Sequence, residues 1–337
     1  MINVTAAIIE KNGLILAARK RKGLHLAGCW EFPGGKLEQG ETPEECLQRE
    51  LEEEFSICCE IGSFLGESIY SYDDKVIRLL GYHATHTCGS FQLTDHDKIR
   101  WLSTDELDTL QWAPADIPLM LKVRNKAITE KNLLFYQLNG DSYIKKTMHL
   151  DMEEIRARFI SLIPAYGHIL DLGCGSGRDS RAFLAHGFKI TATDASAKIA
   201  AITGKFLGQQ VRIEKAQKLC AREKYDGIWA SASLLHIPVS EIESTFNAIS
   251  TALKPEGIWY MSFKKGAGER WDEHGRFFSD YSIQTLRRLL NKSDRVEIVD
   301  IYEKTAAGSY GDECWLNVFL KKSGRKREQD WTDYRRR

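Results

Sequence analysis

From Gly35 the sequence reads Gly-Lys-Leu-Glu-Gln-Gly-Glu, and after seven residues it resumes as Arg49-Glu50-Leu51-Glu52-Glu53-Glu54. No other stretch constrains the fold as much. Thr42-Pro43-Glu44-Glu45 is a helix start, with a hydroxyl N-cap, proline at the first helical position and a glutamate three residues after the cap. In the helix that follows, Glu50, Glu53 and Glu54 fall at i, i+3 and i+4 and project from one face, while Leu47 and Leu51 take the opposite stripe and dock on a core. Like charges so placed repel by a few tenths of a kcal/mol per pair. A bound cation would turn that cost into affinity: the carboxylates at 41, 50, 53 and 54 could share hard divalent ions, and oxygen-only ligands suit Mg²⁺ or Mn²⁺ held jointly with substrate phosphates. The alternative is a solvated acidic helix face.

The pattern Gly-x5-Glu-x7-Arg-Glu-x-x-Glu-Glu resembles the Nudix box. Trp30-Glu31-Phe32-Pro33-Gly34-Gly35 ahead of it is similar to the MutT-type branch, which hydrolyses nucleoside triphosphates to monophosphate and pyrophosphate. The resemblance implies an α/β/α sandwich with a mixed sheet. It also implies that Glu50, Glu53, Glu54 and the Gly35 carbonyl hold the metal, that Glu53 activates water, and that Arg49 orients the carboxylates through its bidentate fork. A further acid is expected six residues before Trp101, at Asp95, with Asp97 competing for the role. Trp112-Ala113-Pro114-Ala115-Asp116-Ile117-Pro118 is similar to the base-recognition segment of this branch. Relatives with Asn at the position of Asp116 often prefer 8-oxo-guanine nucleotides, and those with Asp often act on cytidine-type or other modified ones. An ionised Asp116 would accept from an exocyclic amino group; otherwise it is a turn residue between two prolines. Phe32 could stack on the base and Arg19 or Lys20 meet phosphate, and ordinary packing or surface explains each equally well. One departure stands: Ser56 replaces the family's glycine at a position whose backbone favours glycine.

A second signature has different chemistry. His168–Leu172 reads as a buried strand entering the loop Gly173-Cys174-Gly175-Ser176-Gly177, followed by a helix over Asp179–Ala185 and a strand over Lys189–Asp194. Asp194, 23 residues after Asp171, would sit at the tip of the second strand, where a carboxylate can bind both hydroxyls of a ribose. A dinucleotide fingerprint needs a third glycine where this chain has Arg178. Asp171 before the loop would repel pyrophosphate and suits a ligand bearing an ammonium group. The pattern Asp-x-Gly-x-Gly-x-Gly resembles motif I of class I S-adenosylmethionine-dependent methyltransferases, and the scaffold is similar to the tellurite-resistance type.

That resemblance implies a Rossmann-like fold with a seven-stranded sheet and an S-adenosylmethionine site at Asp171, Gly173, Gly175, Gly177, Asp194 and Ala230. Later segments agree in order. Tyr225–Ala230 looks like the fourth strand, Leu234–Pro238 the segment after it, Leu253–Gly257 a turn into a fifth strand at Ile258–Phe263, and Arg295–Glu303 with Cys314–Lys321 the closing antiparallel pair. Methyl transfer is a direct displacement and needs mainly alignment of donor and acceptor. His236, Tyr281 and Glu269–His274 lie where substrate-facing residues are expected, His236 being either a proton acceptor or a structural histidine. Tyr136 and Tyr143 are spaced by two helical turns, which needs no function.

A chain of 337 residues has room for two domains, 1–128 and 129–322, followed by a basic tail, 323–337, expected to be disordered. Helices are expected over Leu119–Lys126 and Lys131–Lys146. Formal net charge is zero, so there is no global signature for a long polyanion; the tail could touch RNA, a less favoured partner. The eight cysteines lack paired motif spacing, and with neither a leader nor a spanning apolar stretch the expectation is a cytoplasmic protein with no membrane partner. Taken together, the residues point to hydrolysis of a modified or cytidine-type nucleoside triphosphate with Mg²⁺ and methylation of a small acceptor. The rival is an RNA-modifying methyltransferase whose first domain senses nucleotides or binds an RNA end.

Overall fold

The computed structural model describes residues 1–73, 75–308 and 311–324; all but the first two residues of the expected basic tail therefore lie outside the described residues. The chain divides into two compact units, Met1–Ala127 and a second beginning at Ile128.

The first unit contains β1 (Ile2–Lys11), β2 (Leu14–Lys20), β3 (Trp30–Glu31), α1 (Pro43–Phe55), β4 (Ile57–Ser71), β5 (Val76–Gly89), β6 (His96–Leu102) and the start of α2 (Ile117–Thr147). Its sheet runs β3-β2-β1-β5-β4, with β6 also pairing β2. β1 and β5 are parallel and the other pairs antiparallel, so the sheet is mixed. β1 is buried on both faces, and its side chains alternate between two cores. Ala6 and Ile8 pack with Leu119, Met120 and Val123 of α2, whereas Ala7 and Ile9 pack with Leu47, Leu51 and Phe55 of α1. That alternation follows from the period of two along a strand, and it produces the α/β/α layering. α1 starts with a complete capping box: Thr42 Oγ1 accepts from the Glu45 N–H and the Glu45 carboxylate accepts from the Thr42 N–H. Such a cap contributes about 1 kcal/mol. α1 ends at Ser56, left-handed at φ 56°; a side chain there costs about 1 kcal/mol that glycine would avoid.

The second unit follows with α3 (Glu153–Ser161), β7 (His168–Leu172), α4 (Arg178–Ala185), β8 (Lys189–Asp194), α5 (Ala197–Leu207), β9 (Arg212–Ile213), β10 (Tyr225–Ala230), α6 (Val239–Ala252), β11 (Leu253–Lys264), β12 (Gly268–Trp271), β13 (Phe277–Asp280), α7 (Ile283–Leu290), β14 (Val296–Gly308) and β15 (Gly311–Lys322). Seven strands form one sheet in the order β14-β15-β11-β10-β7-β8-β9. β11, β10, β7, β8 and β9 are parallel, and β15 runs antiparallel to both β11 and β14. The order reverses at β7, and crevices at such a switch point, outside the carboxyl ends of the strands, are where open α/β sheets bind ligands.

Three expectations change. The two helices expected over Leu119–Lys126 and Lys131–Lys146 are one, α2, because Ala127-Ile128-Thr129-Glu130 contains no helix breaker. The expected turn at Leu253–Gly257 is the opening of β11, which bulges where Tyr225 pairs with Leu253 but Gly227 pairs with Ile258. The closing strands run longer than Arg295–Glu303 and Cys314–Lys321 at most of their ends, since β14 and β15 pair as far as Gly308 with Gly311. Among the described residues no helix is long and apolar enough to cross a membrane.

Candidate functional sites

In the first unit the segment before α1 is pinned to β1. Thr5 N–H donates to the Gly35 carbonyl at 2.8 Å and Ala7 N–H to the Pro33 carbonyl at 2.7 Å. A Cβ on Gly34 would stand 2.1 Å from the Thr5 carbonyl oxygen, so only glycine allows this approach. Pro33 and Gly35 both turn their carbonyls to β1. The Gly35 carbonyl expected at the metal is thus engaged by β1, with Thr5 Oγ1 adding a donor at 3.2 Å.

Opposite this segment α1 presents its carboxylates. Arg49 organises them: Nε and Nη2 grip Glu41 at 2.7 and 3.1 Å, and Nη1 reaches Glu50 at 2.9 Å and Glu53 at 3.1 Å. The guanidinium holds Glu41 down to a pKa of about 2. Glu50 lies over Gly35, where an added Cβ would fall 2.0 Å from its carboxyl carbon. Glu53 is the open member, its side chain 60% exposed against 12% for Glu50 and 20% for Glu54. Glu54 Oε2 is buried and meets no hydrogen-bond partner among the described residues. Burial pushes Glu54 up to about 7, with Asp95 adding to the rise against the pull of His96 and Lys20.

Among the described residues no three His, Cys, Asp or Glu side chains converge as a ready-made ligand group. The donor set nonetheless fits a hard divalent ion. All the donors are oxygens, one is an orphaned buried carboxylate atom, and the glycine beside Glu50 leaves room that a side chain would fill.

Asp95 and Asp97 have different surroundings. Arg19 Nε binds Asp97 Oδ1 at 2.7 Å, so these two satisfy each other, while Asp95 is exposed and near enough to Glu54 to raise its pKa. Lys20 is likewise engaged, 2.9 Å from Glu31 Oε1. Sequence reasoning missed the residue between the two acids. His96 is fully buried and stacked on Phe55, with Nε2 2.8 Å from Glu31 and Nδ1 3.6 Å from the orphaned Glu54 oxygen. Strand alternation is the signal that could have found it, since exposed acids at 95 and 97 require residue 96 to point inward.

Phe32 and Asp116 do meet, but inside the fold. Phe32 is 3% exposed and packs on Trp112, and its backbone N–H donates to Asp116 Oδ1 at 2.9 Å. Burial, helped by Glu31, pushes the Asp116 pKa well up. In that contact Asp116 acts as an acceptor, spent on the backbone of Phe32.

In the second unit the loop after β7 is a backbone cradle. Gly173, Gly175 and Gly177 have φ of 78°, 51° and 75°. A Cβ on Gly173 would lie 2.5 Å from Ser233 Cβ and one on Gly177 2.6 Å from Thr203 Cγ2. Asp194 closes β8, its carboxylate accepting from Gly175 N–H at 3.1 Å and Ser196 N–H at 2.9 Å; burial sets it at about 6. Asp171 accepts from Ser180 Oγ at 2.6 Å, and burial, aided by Asp179, pushes it to about 7.

Two cavities open along the carboxyl ends of the strands. One, of ≈ 130 Å³, is lined by Asp194, Ser196, Tyr136 and His236; the other, of ≈ 310 Å³, by Asp171, Arg178, Tyr260 and Asn317. Gly173, Gly175, Ala232 and Tyr143 line both. A ribose acceptor in one cavity and an uncompensated acid in the other fit a ligand that joins a nucleoside to a cationic chain, which is the chemistry of S-adenosylmethionine. Ala230 is fully buried and lines neither cavity; the wall begins at Ser231 and Ala232.

His236 has no free ring nitrogen. The Phe277 carbonyl 2.7 Å from Nδ1 can only accept, so Nδ1 carries the proton and Nε2 accepts from the Tyr136 hydroxyl at 2.7 Å. Burial lowers His236 to about 4. The histidine is placed to hold Tyr136 rather than to take a substrate proton. Tyr281, also expected near the substrate, is buried and lines neither cavity.

Comparison with known proteins gives two family matches, a NUDIX domain over residues 1–127 and a methyltransferase domain over residues 169–257. The CTP pyrophosphohydrolase of Escherichia coli is 38% identical over 120 residues, covering 36% of this chain and 89% of that protein. The 8-oxo-dGTP diphosphatase of Haemophilus influenzae is 32% identical over 127 residues, 37% of this chain and 93% of that protein. Among solved structures, a Burkholderia thailandensis 1,6-didemethyltoxoflavin-N1-methyltransferase superposes with a TM-score of 0.48 at 20% identity, covering 59% of this chain and 88% of that one.

Proposed function

The chain belongs to the Nudix family through residues 1–127 and carries a methyltransferase domain over residues 169–257, and from that premise we propose a bifunctional enzyme that hydrolyses a modified or cytidine-type nucleoside triphosphate to monophosphate and pyrophosphate and transfers a methyl group from S-adenosylmethionine to a small acceptor. The observation that carries the first activity is the α1 face, on which Arg49 gathers Glu50 and Glu53 while Glu54 Oε2 lacks a partner. Bound Mg²⁺ would supply charge neutralisation at the phosphates. Glu50 and Glu54 would hold it, and Glu53, the exposed carboxylate, would take the proton of the attacking water. In the second unit Asp194 would bind the ribose hydroxyls and the glycine loop would let the nucleoside approach the backbone.

The test is pyrophosphate release in Mg²⁺ from CTP, 8-oxo-dGTP and the ordinary nucleotides. Selective turnover of a cytidine-type or 8-oxo-guanine nucleotide is expected; turnover of none would remove the hydrolase reading.

Glu54 also fixes a pH dependence. The folded chain keeps this proton up to about 7, above the ordinary carboxylate range. Its contribution to stability is therefore present at low pH, falls as pH rises toward 7 and then levels off. A divalent ion would offset that loss, so the melting temperature gained on adding Mg²⁺ should be larger at pH 8 than at pH 5. Glu54→Gln should raise the Mg²⁺-free stability at pH 8 by about 1 kcal/mol and shrink the Mg²⁺ increment. Equal increments at the two pH values would contradict this role.

A further inference from the structure

The larger cavity of the second unit is edged by two hydrogen bonds whose directions can be assigned. The Ala232 backbone N–H can only donate, and it does so to Ser262 Oγ at 2.8 Å. The Tyr260 hydroxyl donates to Asn317 Oδ1 at 2.8 Å. Once Oδ1 is the acceptor the amide orientation is fixed, and Asn317 must present Nδ2. That nitrogen, on a residue only 2% exposed, meets no acceptor among the described residues, and Asn317 lines the cavity. A buried donor left unpaired costs about 1–3 kcal/mol, which a ligand acceptor would recover.

The position of Asn317 indicates which ligand. It stands on β15 directly across from Ser262 of β11, two strands from β10 and three from β7. At about 4.8 Å per strand this is about 14 Å from the strand that leads into the glycine loop. The nucleoside end of the methyl donor belongs to the other cavity, with Asp194, and the two cavities meet at Gly173, Gly175 and Ala232. Asn317 thus faces the part of the crevice that remains for the methyl acceptor. Ala232, which donates to Ser262, is held at φ 49°, a left-handed conformation that a β-carbon disfavours.

We propose that the methyl acceptor binds in the cavity bounded by Ser262, Tyr260 and Asn317, and that Asn317 Nδ2 selects a small uncharged molecule presenting a hydrogen-bond acceptor, a carbonyl oxygen or an unprotonated ring nitrogen. This rests on the methyltransferase reading of the second unit. A molecule offering only an N–H donor at that point would leave Nδ2 unpaired and be disfavoured.

The full chain, loaded with S-adenosylhomocysteine whose affinity is first measured by calorimetry, is titrated by ligand-observed NMR with two probes of similar size, 1-methyl-2-pyridone (a carbonyl acceptor) and aniline (an N–H donor). The wild-type protein should bind the pyridone about tenfold more tightly. Asn317→Asp, acceptor-only when ionised, should invert the preference, and Tyr260→Phe, which frees the amide to turn, should abolish it without inversion. If Asn317→Asp does not fold, judged by melting and by S-adenosylhomocysteine affinity, Tyr260→Phe carries the test. Normal S-adenosylhomocysteine binding with no probe preference, or one that these substitutions leave unchanged, would overturn the assignment of Asn317 and leave the methyltransferase reading standing. Failure of the wild-type protein to bind S-adenosylhomocysteine would overturn both.

Discussion

Glutamine in place of Glu53 is expected to slow nucleoside triphosphate hydrolysis by about 10²- to 10⁴-fold, the usual loss when a positioned general base is removed. Glu53 has its side chain mostly in solvent, and among the described residues its tie is to Arg49 at 3.1 Å. Substitution there should change stability by no more than about 0.5 kcal/mol, as for other surface positions, so a rate effect would report chemistry and not unfolding. The neighbours behave differently. Glu50 is packed over Gly35 and Glu54 is half-buried without a partner, so changing either alters the fold's electrostatics together with cation affinity. Pyrophosphate release at saturating Mg²⁺, with melting temperature and S-adenosylhomocysteine affinity as controls, separates these cases. Activity of Glu53→Gln within threefold of wild type would assign water activation to another group.

Alanine in place of Asp194 should weaken S-adenosylhomocysteine binding by about 10²- to 10⁴-fold. A carboxylate accepting from two ribose hydroxyls makes two charge-assisted hydrogen bonds, each contributing about 1.5–3 kcal/mol. The side chain is also structural: it accepts from Gly175 N–H of the loop and Ser196 N–H at the start of α5, so its loss would release the loop that contacts the ligand. Asp194→Asn keeps an oxygen acceptor and loses the charge, and should fall between the two. Because burial sets this carboxyl at about 6, wild-type affinity should decline as pH drops through that value, and the decline should be absent from Asp194→Asn. Calorimetry over pH 5 to 8 measures both effects. An affinity of Asp194→Ala within threefold of wild type would place the ribose elsewhere.

Local chemistry was readable where it and the tertiary fold agree. β7 and β8 have the limits that the sequence suggests, because a buried β-branched run, a glycine loop and a terminal acid all mark the same boundaries. α1 starts at Pro43, since cap, proline and glutamate leave one register. What escaped depends on the direction in which a group points. The engagement of the Gly35 carbonyl by Thr5 of β1 is visible only in the fold. The wall of the crevice begins at Ser231 and Ala232 and not at Ala230, because β10 ends before the backbone turns. His96 sits in a polar run and Asn317 inside the buried run Leu316–Leu320. Their partners Glu31, Glu54 and Tyr260 are all distant in sequence, and only the fold brings them together. Nothing local marks α2 as a single helix, because the absence of a breaker is a weaker signal than the presence of one.

The alternation along β1 has a consequence for how such a chain can change over generations. Each residue from Ala6 to Ile9 serves one of two cores, and Thr5 and Ala7 hold the segment that carries Gly34 and Gly35. Any one of these side chains can be exchanged for another of similar volume at a local cost. A single inserted or deleted codon is another matter, since it would send every later side chain of the strand to the opposite core and move the donors that position the glycines. The reading frame of this short strand is shared information: mutation can edit its letters singly, but its length is held by both cores and the glycine segment at once.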